Sequence, residues 1–348
     1  MKAFVKVVFF LLLYVSIVYS DNCKASVLYL NGDTKKDSLK ENIVDLSGKL
    51  GLHFYGIRKT TELSFIDKAA KKSLIYTPNS SLNFGVGFNY KWMGLGLAFN
   101  FRFVNNDDWK YGKSSRLNLN MNIYGKKSVV DFTFFLYESF YLKNHRDNFP
   151  SWQAGDPNYI RPDMSFASVG LSYTYIFNHE RFSYKAAFVS NAIQLHSAGS
   201  FFLGGQFLLS EAAADSSFFP TGTYFEKYPE IVDIGSSSIG LTMGYAYNFI
   251  IKKNFFISLS LALSPSLGKV YFKTSGDSIN TAPAFAGPVL PRIAFGYNTL
   301  KYYAGISING KFSVIKPMGD NSLTVNYGYS RFRFYVGRHF NVGKGRRD

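Results

Sequence analysis

Cysteine is almost missing from this chain: Cys23 stands alone among 348 residues. That excludes a disulfide framework and any metal site built on a cysteine cluster. Long apolar runs are missing too. Beyond the N-terminus none reaches the ~18 residues that carry a helix across a bilayer, which argues against a helical membrane protein. Charged residues are sparse, at 18% of the chain, against roughly 25% in soluble domains. The five histidines have neither the helical i,i+4 partner nor the cysteine neighbours of a zinc site. What the chain has instead is aromatic: 18% of residues, with 35 Phe, 25 Tyr and also 30 Gly. A disordered chain is poor in aromatics, so disorder is excluded. The formal net charge of +16 is spread along the chain and not gathered on one element, which argues against a nucleic-acid partner.

Lys2 and Lys6 precede a nearly unbroken apolar run from Val7 to Val18, and Tyr19-Ser20 leads into Asp21. This order predicts a secretory signal peptide over 1–20, cleaved after Ser20. The run is short for a membrane anchor. Ser20-Asp21-Asn22 before Cys23 is a poor lipidation site. Residues 21–48 are polar and charged and are expected to form a periplasmic lead-in, and 342–348 a basic C-terminal tail.

Between them the chain alternates. Leu82, Phe84, Val86, Phe88 and Tyr90 alternate with Asn83, Gly85, Gly87 and Asn89. Leu117, Leu119, Met121 and Ile123 alternate with Asn118, Asn120 and Asn122, and Phe255, Ile257, Leu259, Leu261 and Leu263 with Ser258, Ser260 and Ala262. Period two places successive side chains on opposite faces of a strand. A secreted β-sandwich would alternate as well. Here, however, the runs reach about ten residues, the span of a tilted strand across hydrocarbon. The apolar face is rich in Phe, Leu and Tyr, and the other is Gly, Asn, Ser and Ala. The reading is all-β: an antiparallel transmembrane β-barrel over 49–341, in the outer membrane, with tight periplasmic turns and long outer loops. Tight turns are expected at 92–93, 125–127, 178–180, 251–253 and 299–300, and long loops at 143–162, 211–235 and 265–285. Thirteen segments qualify as strands, including 181–191, 199–210 and 236–250. Bacterial barrels are even-numbered, and the parity breaks between the last two. Either 218–226 is a further strand or 199–210 belongs to a folded loop. The expectation is about 12 strands, with 14 as the alternative.

Several of these stretches resemble a known family. Tyr76-Thr77-Pro78-Asn79 followed by Leu82-Asn83-Phe84-Gly85-Val86-Gly87-Phe88-Asn89-Tyr90-Lys91 resembles the start of an uncharacterised outer-membrane barrel family of Bacteroidota, domain of unknown function 4421. Lys110-Tyr111-Gly112-Lys113, Phe140-Tyr141-Leu142-Lys143-Asn144, Ser197-Ala198-Gly199-Ser200-Phe201 and Phe334-Tyr335-Val336-Gly337 are further points of similarity. The resemblance spans roughly residues 45–340. It implies an outer-membrane barrel, and it implies no activity and no functional residues.

Read for chemistry, the sequence offers little. His196 and Ser197 are adjacent, so a regular strand points them to opposite faces, and no serine stands two residues from His196. Asp107-Asp108 and Asp147, Asp156 and Asp163 lie in or beside loops. Gly85-Val86-Gly87 and Gly94-Leu95-Gly96 precede no helix and are not phosphate loops. No catalytic, cofactor-binding or metal-binding residue is assigned, and no cofactor is expected. Charges on the polar face are the candidates for a lumen: Arg102, Lys311, Arg331 and Arg333, with Asp131 able to pair with one of them. Unpaired, they would favour anions in a pore; paired, they would plug it. The expected partners are outer-membrane lipid, lipopolysaccharide phosphates and the barrel-assembly machinery. The function expected is structural, binding or narrow-channel, and not enzymatic. The alternative is an outer-membrane enzyme acting on lipid or peptide.

Overall fold

The computed structural model describes residues 42–342, except 92, 102, 150, 154 and 319–322. The expected signal peptide, most of the lead-in and the basic tail lie outside the described residues.

The chain begins with β1 (Ile43–Asp45) and β2 (Lys49–Asp67), then β3 (Lys72–Thr77) and β4 (Leu82–Tyr90). Next come β5 (Met93–Asn100), helix α1 (Asp108–Tyr111), β6 (Ser115–Tyr124), β7 (Ser128–Leu142) and α2 (His145–Asn148). β8 (Ile160–Ile176), α3 (Tyr184–Phe188), β9 (Ala192–Gln194) and β10 (Ala198–Ala213) follow. A 3₁₀ turn (Tyr224–Lys227) precedes β11 (Ile231–Ile251), β12 (Phe255–Leu263), β13 (Ser266–Thr274) and β14 (Ile279–Ala286). The chain closes with β15 (Val289–Asn298), β16 (Tyr302–Pro317) and β17 (Thr324–Asn341).

These strands make an antiparallel barrel. Ten of them close a hydrogen-bonded circuit, in the order β2-β3-β7-β8-β10-β11-β13-β14-β16-β17 and back to β2. The remaining strands extend or widen it, so twelve or fourteen does not describe the closed circuit. Leu263 pairs with Val289 and Ser266 with Ala286 in one register, so β12 continues into β13 and β14 into β15. Pro265 and Pro288 interrupt them. Proline lacks the N–H that a ladder needs, and the neighbouring donors still find carbonyls there, Ser264 N–H at Pro288 O and Leu241 N–H at Pro265 O. Pro78 divides β3 from β4 in the same way. β3 meets β7 only through Tyr76–Leu142 and Thr77–Tyr141. Below that junction β4, β5 and β6 occupy the wall. β4 pairs with β5 and β6 with β7. No ladder joins β5 to β6 among the described residues.

The alternation expected from sequence runs greasy side out. Leu259, Leu261 and Leu263 are 44%, 54% and 51% exposed, whereas Ser258, Ser260 and Ala262 between them are 0%, 8% and 4%. A soluble barrel would show the opposite. The exposed apolar belt covers the half of the barrel nearest the tight turns, including Ile239, Leu241 and Met243 of β11 and Ile306, Ile308 and Phe312 of β16. Beyond it the longer strands project as a stalk toward the long loops.

One connection departs from expectation. Residues 178–180 are not a tight turn leading to a strand over 181–191. The chain folds back into the barrel end as α3 and β9, and β9 pairs with β1. The lead-in residues 43–45 therefore belong to this fold. Without a strand over 181–191, β8 runs toward the tight turns and β10 away from them. The parity problem disappears, with 199–210 a wall strand and no strand at 218–226.

The plug carries its own polar ledger. Ser183 Oγ caps α3 through Ala186 N–H at 3.3 Å, as N-cap serines do. Wall asparagines take up its carbonyls: Asn89 donates to Val189 O (3.0 Å), Asn248 to Ser183 O (3.1 Å) and Asn298 to Ala192 O (2.8 Å). Buried backbone carbonyls need such partners. Phe182, Tyr184, Ala187 and Phe188 pack against Val129, Phe202 and Phe256 of the wall.

The loop end is closed separately. Phe218, Phe219 and Phe225 of the 214–230 loop join Phe65, Tyr76, Phe140 and Phe166 in the larger apolar core. Two polar clasps hold that loop. Arg161, 4% exposed, donates to Ser216 O at 2.9 Å and Ser217 O at 2.7 Å and pairs with Asp163 at 2.7 Å. The Arg161 guanidinium holds the Asp163 carboxyl down at about 2. Asp67 accepts from Ala70 N–H (3.0 Å), Tyr228 Oη (2.7 Å), Tyr224 Oη (2.9 Å) and Lys227 Nζ (3.2 Å). The Ala70 N–H, then the two hydroxyls and the ammonium, hold its carboxyl well below the usual range. A depressed carboxylate contributes stability above its unfolded pKa of about 3.9 and loses it as pH falls through the folded value. Asp67→Asn is therefore expected to speed proteolysis within 214–230 at pH 7. The gap from wild type should persist down to pH 4 and close only in stronger acid. Equal cleavage of both forms at pH 7 would remove the clasp from the account.

Candidate functional site

Between the two apolar closures lies a polar belt. The strands that cross it present the small or polar face inward, so every long side chain there reaches into shared space. Asp131 of β7 and Arg292 of β15 meet at 2.9 Å, 12% and 22% exposed. Asn122 also donates to Asp131. Lys311 of β16 donates to Gln206 Oε1 at 3.2 Å. Asn309, its amide oriented by the network, accepts from Arg331 Nη2 at 2.7 Å. Asp131, Arg292, Lys311 and Arg331 border one cavity of about 90 Å³. Arg333 lies nearer the plug, 2.7 Å from His53 Nε2 and over the rings of Tyr55 and Tyr335. His53 Nδ1 is 3.1 Å from Tyr303 Oη.

Of the residues singled out from sequence, Asp131, Lys311 and Arg331 thus line this cavity. Arg333 sits apart from it, and Arg102 lies outside the described residues. Three further cations share the inward face: Arg292, Lys59, which donates to Asn118 Oδ1 at 2.7 Å, and Arg116, which donates to Ser81 Oγ at 2.6 Å. Their parity relative to their apolar neighbours was a usable signal. Arg292 alternates with Ile293 and Phe295 just as Arg333 alternates with Phe332 and Phe334. Among the described residues the belt therefore holds Lys59, Arg116, Arg292, Lys311, Arg331 and Arg333 against the one carboxylate of Asp131. The Nε groups of Arg331 and Arg333 have no hydrogen-bond partner. Buried cations left without counter-charge are costly, so negative charge placed in this belt would be stabilised.

The other sequence candidates do not converge. His196 is exposed, and Ser197 Oγ accepts from Ile250 N–H at 2.8 Å, a strand-end contact. Asp107 and Asp108 accept from Asn79 at 3.0 and 3.1 Å. Asp156 closes a turn with Gln153 N–H. Among the described residues no group of three or more His, Cys, Asp or Glu is placed to hold a metal.

The model of a family described only as a domain of unknown function, DUF4421, matches residues 43–340. The chain belongs to that family. No curated protein matches it. Among solved structures it is similar to the toluene transporter TodX of Pseudomonas putida, at 10% identity and a TM-score of 0.25, over 84% of this chain and 90% of that one. It is also similar to an anion-selective porin from Comamonas acidovorans, at 12% identity and a TM-score of 0.16, over 84% of this chain and 99% of that one. Similarity at this level transfers no ligand and no pore state to the DUF4421 chain.

Proposed function

We propose that the chain is an exported outer-membrane β-barrel, closed at both ends, whose role is to bind a ligand in its internal cationic belt and not to conduct along its axis. The observation that carries this is the inverted face pattern. A belt of exposed Phe, Leu, Ile and Tyr surrounds buried Ser, Asn and Ala, an arrangement that hydrocarbon stabilises and water does not. The tight-turn end faces the periplasm in this reading and the stalk faces outward. Exposed Lys91, Lys126, Lys127, Lys252, Lys253, Lys301 and Arg338 ring the tight-turn end. Such a ring suits the phosphates of the adjoining lipid leaflet. The partners proposed are therefore membrane lipid and lipopolysaccharide on the two sides, with insertion by the barrel-assembly machinery of a Gram-negative cell, as the resemblance to a Bacteroidota family implies.

The test is refolding of the mature chain into phospholipid vesicles, followed by gel migration of unboiled and boiled samples. A folded barrel is expected to migrate differently before boiling and to resist protease over 49–341. A mature chain that stays monomeric in buffer without detergent would overturn the reading.

A further inference from the structure

The β5–β6 seam is the anomaly in an otherwise closed wall. Among the described residues β5 forms a backbone ladder only with β4, and β6 only with β7. A row of backbone N–H and C=O groups therefore faces the gap from either side. In hydrocarbon such unpaired groups are strongly disfavoured, so the gap calls for a polar group to meet its edges.

The inner faces at the seam are open in a way the rest of the interior is not. Gly94, Gly96, Ala98 and Asn100, the inward-parity residues of β5, are exposed, and Asn118, Asn120 and Asn122 of β6 are half-buried. Away from the seam, inward Ser168, Ser258 and Ser313 are 1%, 0% and 2% exposed. The side chains of Asn89 and Tyr55 close on Gly94 and Gly96, which leaves Ala98 and Asn100 as the inward positions of β5 at the opening. Lys59 and Arg116 reach across to their partners on either side of the gap, and the unpartnered Nε groups of Arg331 and Arg333 lie deeper. Outside, β5 is wholly apolar: Leu95, Leu97 and Phe99 are 58%, 59% and 58% exposed. Phe99 also borders an open apolar hollow of about 660 Å³ that continues, on the side of β5 away from the seam, over Phe54, Phe84 and Phe295.

We propose that this seam is a lateral entrance, through which an anionic amphiphile places its headgroup among the cations of the belt while its alkyl chain stays in the apolar phase outside β5. Charge inside, an unpaired polar edge between and grease outside match the three parts of such a molecule in order. The inference rests on the membrane-barrel reading, because only a lipid phase brings an amphiphile to the wall. It also follows from the two closures, which leave the side of the barrel as the approach.

The probe is dodecyl phosphate, titrated calorimetrically into the detergent-folded chain in a non-ionic micelle. Inorganic phosphate serves as the headgroup-only arm, and dodecyltrimethylammonium as the same chain with the opposite charge. Dodecyl phosphate is expected to bind at least about ten-fold more tightly than either. Arg331→Gln removes a charged hydrogen-bond donor and Ala98→Trp fills the entrance; each is expected to weaken binding by about ten-fold or more, the size of a lost charge-assisted hydrogen bond. Asn120→Trp repeats the block from the β6 side, in case one edge does not tolerate the ring. Equal affinity for inorganic phosphate, with the tryptophan variants unchanged, would overturn the entrance and leave a small-anion site. A dimer in detergent that dissociates in both tryptophan variants would overturn it in favour of a second copy paired at the seam. A chain with the barrel's mobility shift that binds nothing overturns this proposal alone, whereas a chain without that shift overturns the barrel reading beneath it.

Discussion

Planar bilayers holding the refolded mature chain are expected to show no stepwise current. Two closures stand in series along the axis, so opening one should not be enough. Replacing 182–195 by a glycine–serine linker removes Phe182, Tyr184, Ala187 and Phe188 from the tight-turn end. Phe218, Phe219 and Phe225 still seal the other end. Shortening 215–229 alone leaves the plug in place. Only the double variant is expected to conduct, and its reversal potential in a salt gradient should report an anion preference. The field along that path is set by six inward cations against Asp131, and low-dielectric walls focus it. The mobility shift on gels must be retained in all variants, since removing core aromatics costs stability as well as opening space. Steps from the wild-type chain would refute the occluded barrel. Conduction by either single variant would show that the intact closure leaks.

Arg292→Ala is expected to be the most destabilising substitution within the belt, by about 3 kcal/mol. It leaves the mostly buried Asp131 carboxylate without its closest cation, from which it stood 2.9 Å away. Breaking a buried pair from one side costs about 3–5 kcal/mol, and the lower figure applies here because Lys311 borders the same cavity. Arg292 also lies over the Tyr184 ring of the plug at 5.8 Å, so the variant should loosen α3 first. The double variant Asp131→Leu/Arg292→Met is expected to recover most of the loss, because replacing both partners removes the desolvation penalty with the pair. Urea midpoints in detergent, read as a double-mutant cycle, measure this. A single variant as stable as the double would mean that Asp131 is held by its other neighbours and that the pair is incidental.

How much of this was legible in the sequence differs between wall and interior. Period two is a local property of the chain, since each residue's face follows from its neighbour's. It reports which side chains share a surface and, from their chemistry, that the greasy surface faces outward. The all-β barrel, most of its strand positions and the inward parity of Asp131, Lys311, Arg331 and Arg333 follow from that alone. The same logic misled at 181–191. Phe182, Tyr184, Ala186 and Phe188 alternate as a strand would, yet Tyr184–Phe188 form a short helix and Phe182 leads into it, because asparagines from β4, β11 and β15 satisfy the plug's carbonyls there. Those asparagines are 100, 65 and 106 residues removed in sequence from the carbonyls they hold, and no local pattern encodes their meeting.

The sequence by itself thus determined the kind of wall: alternating, inverted and rich in small inward residues. Tertiary structure alone decided what fills it and where it is incomplete. Which cation reaches Asp131, which loop seals each end, and that β3 bypasses β5 and β6 to join β7 are all set by strand neighbours. Strand order and closure are long-range hydrogen-bonding choices, made between segments whose individual patterns are equally compatible with several partners.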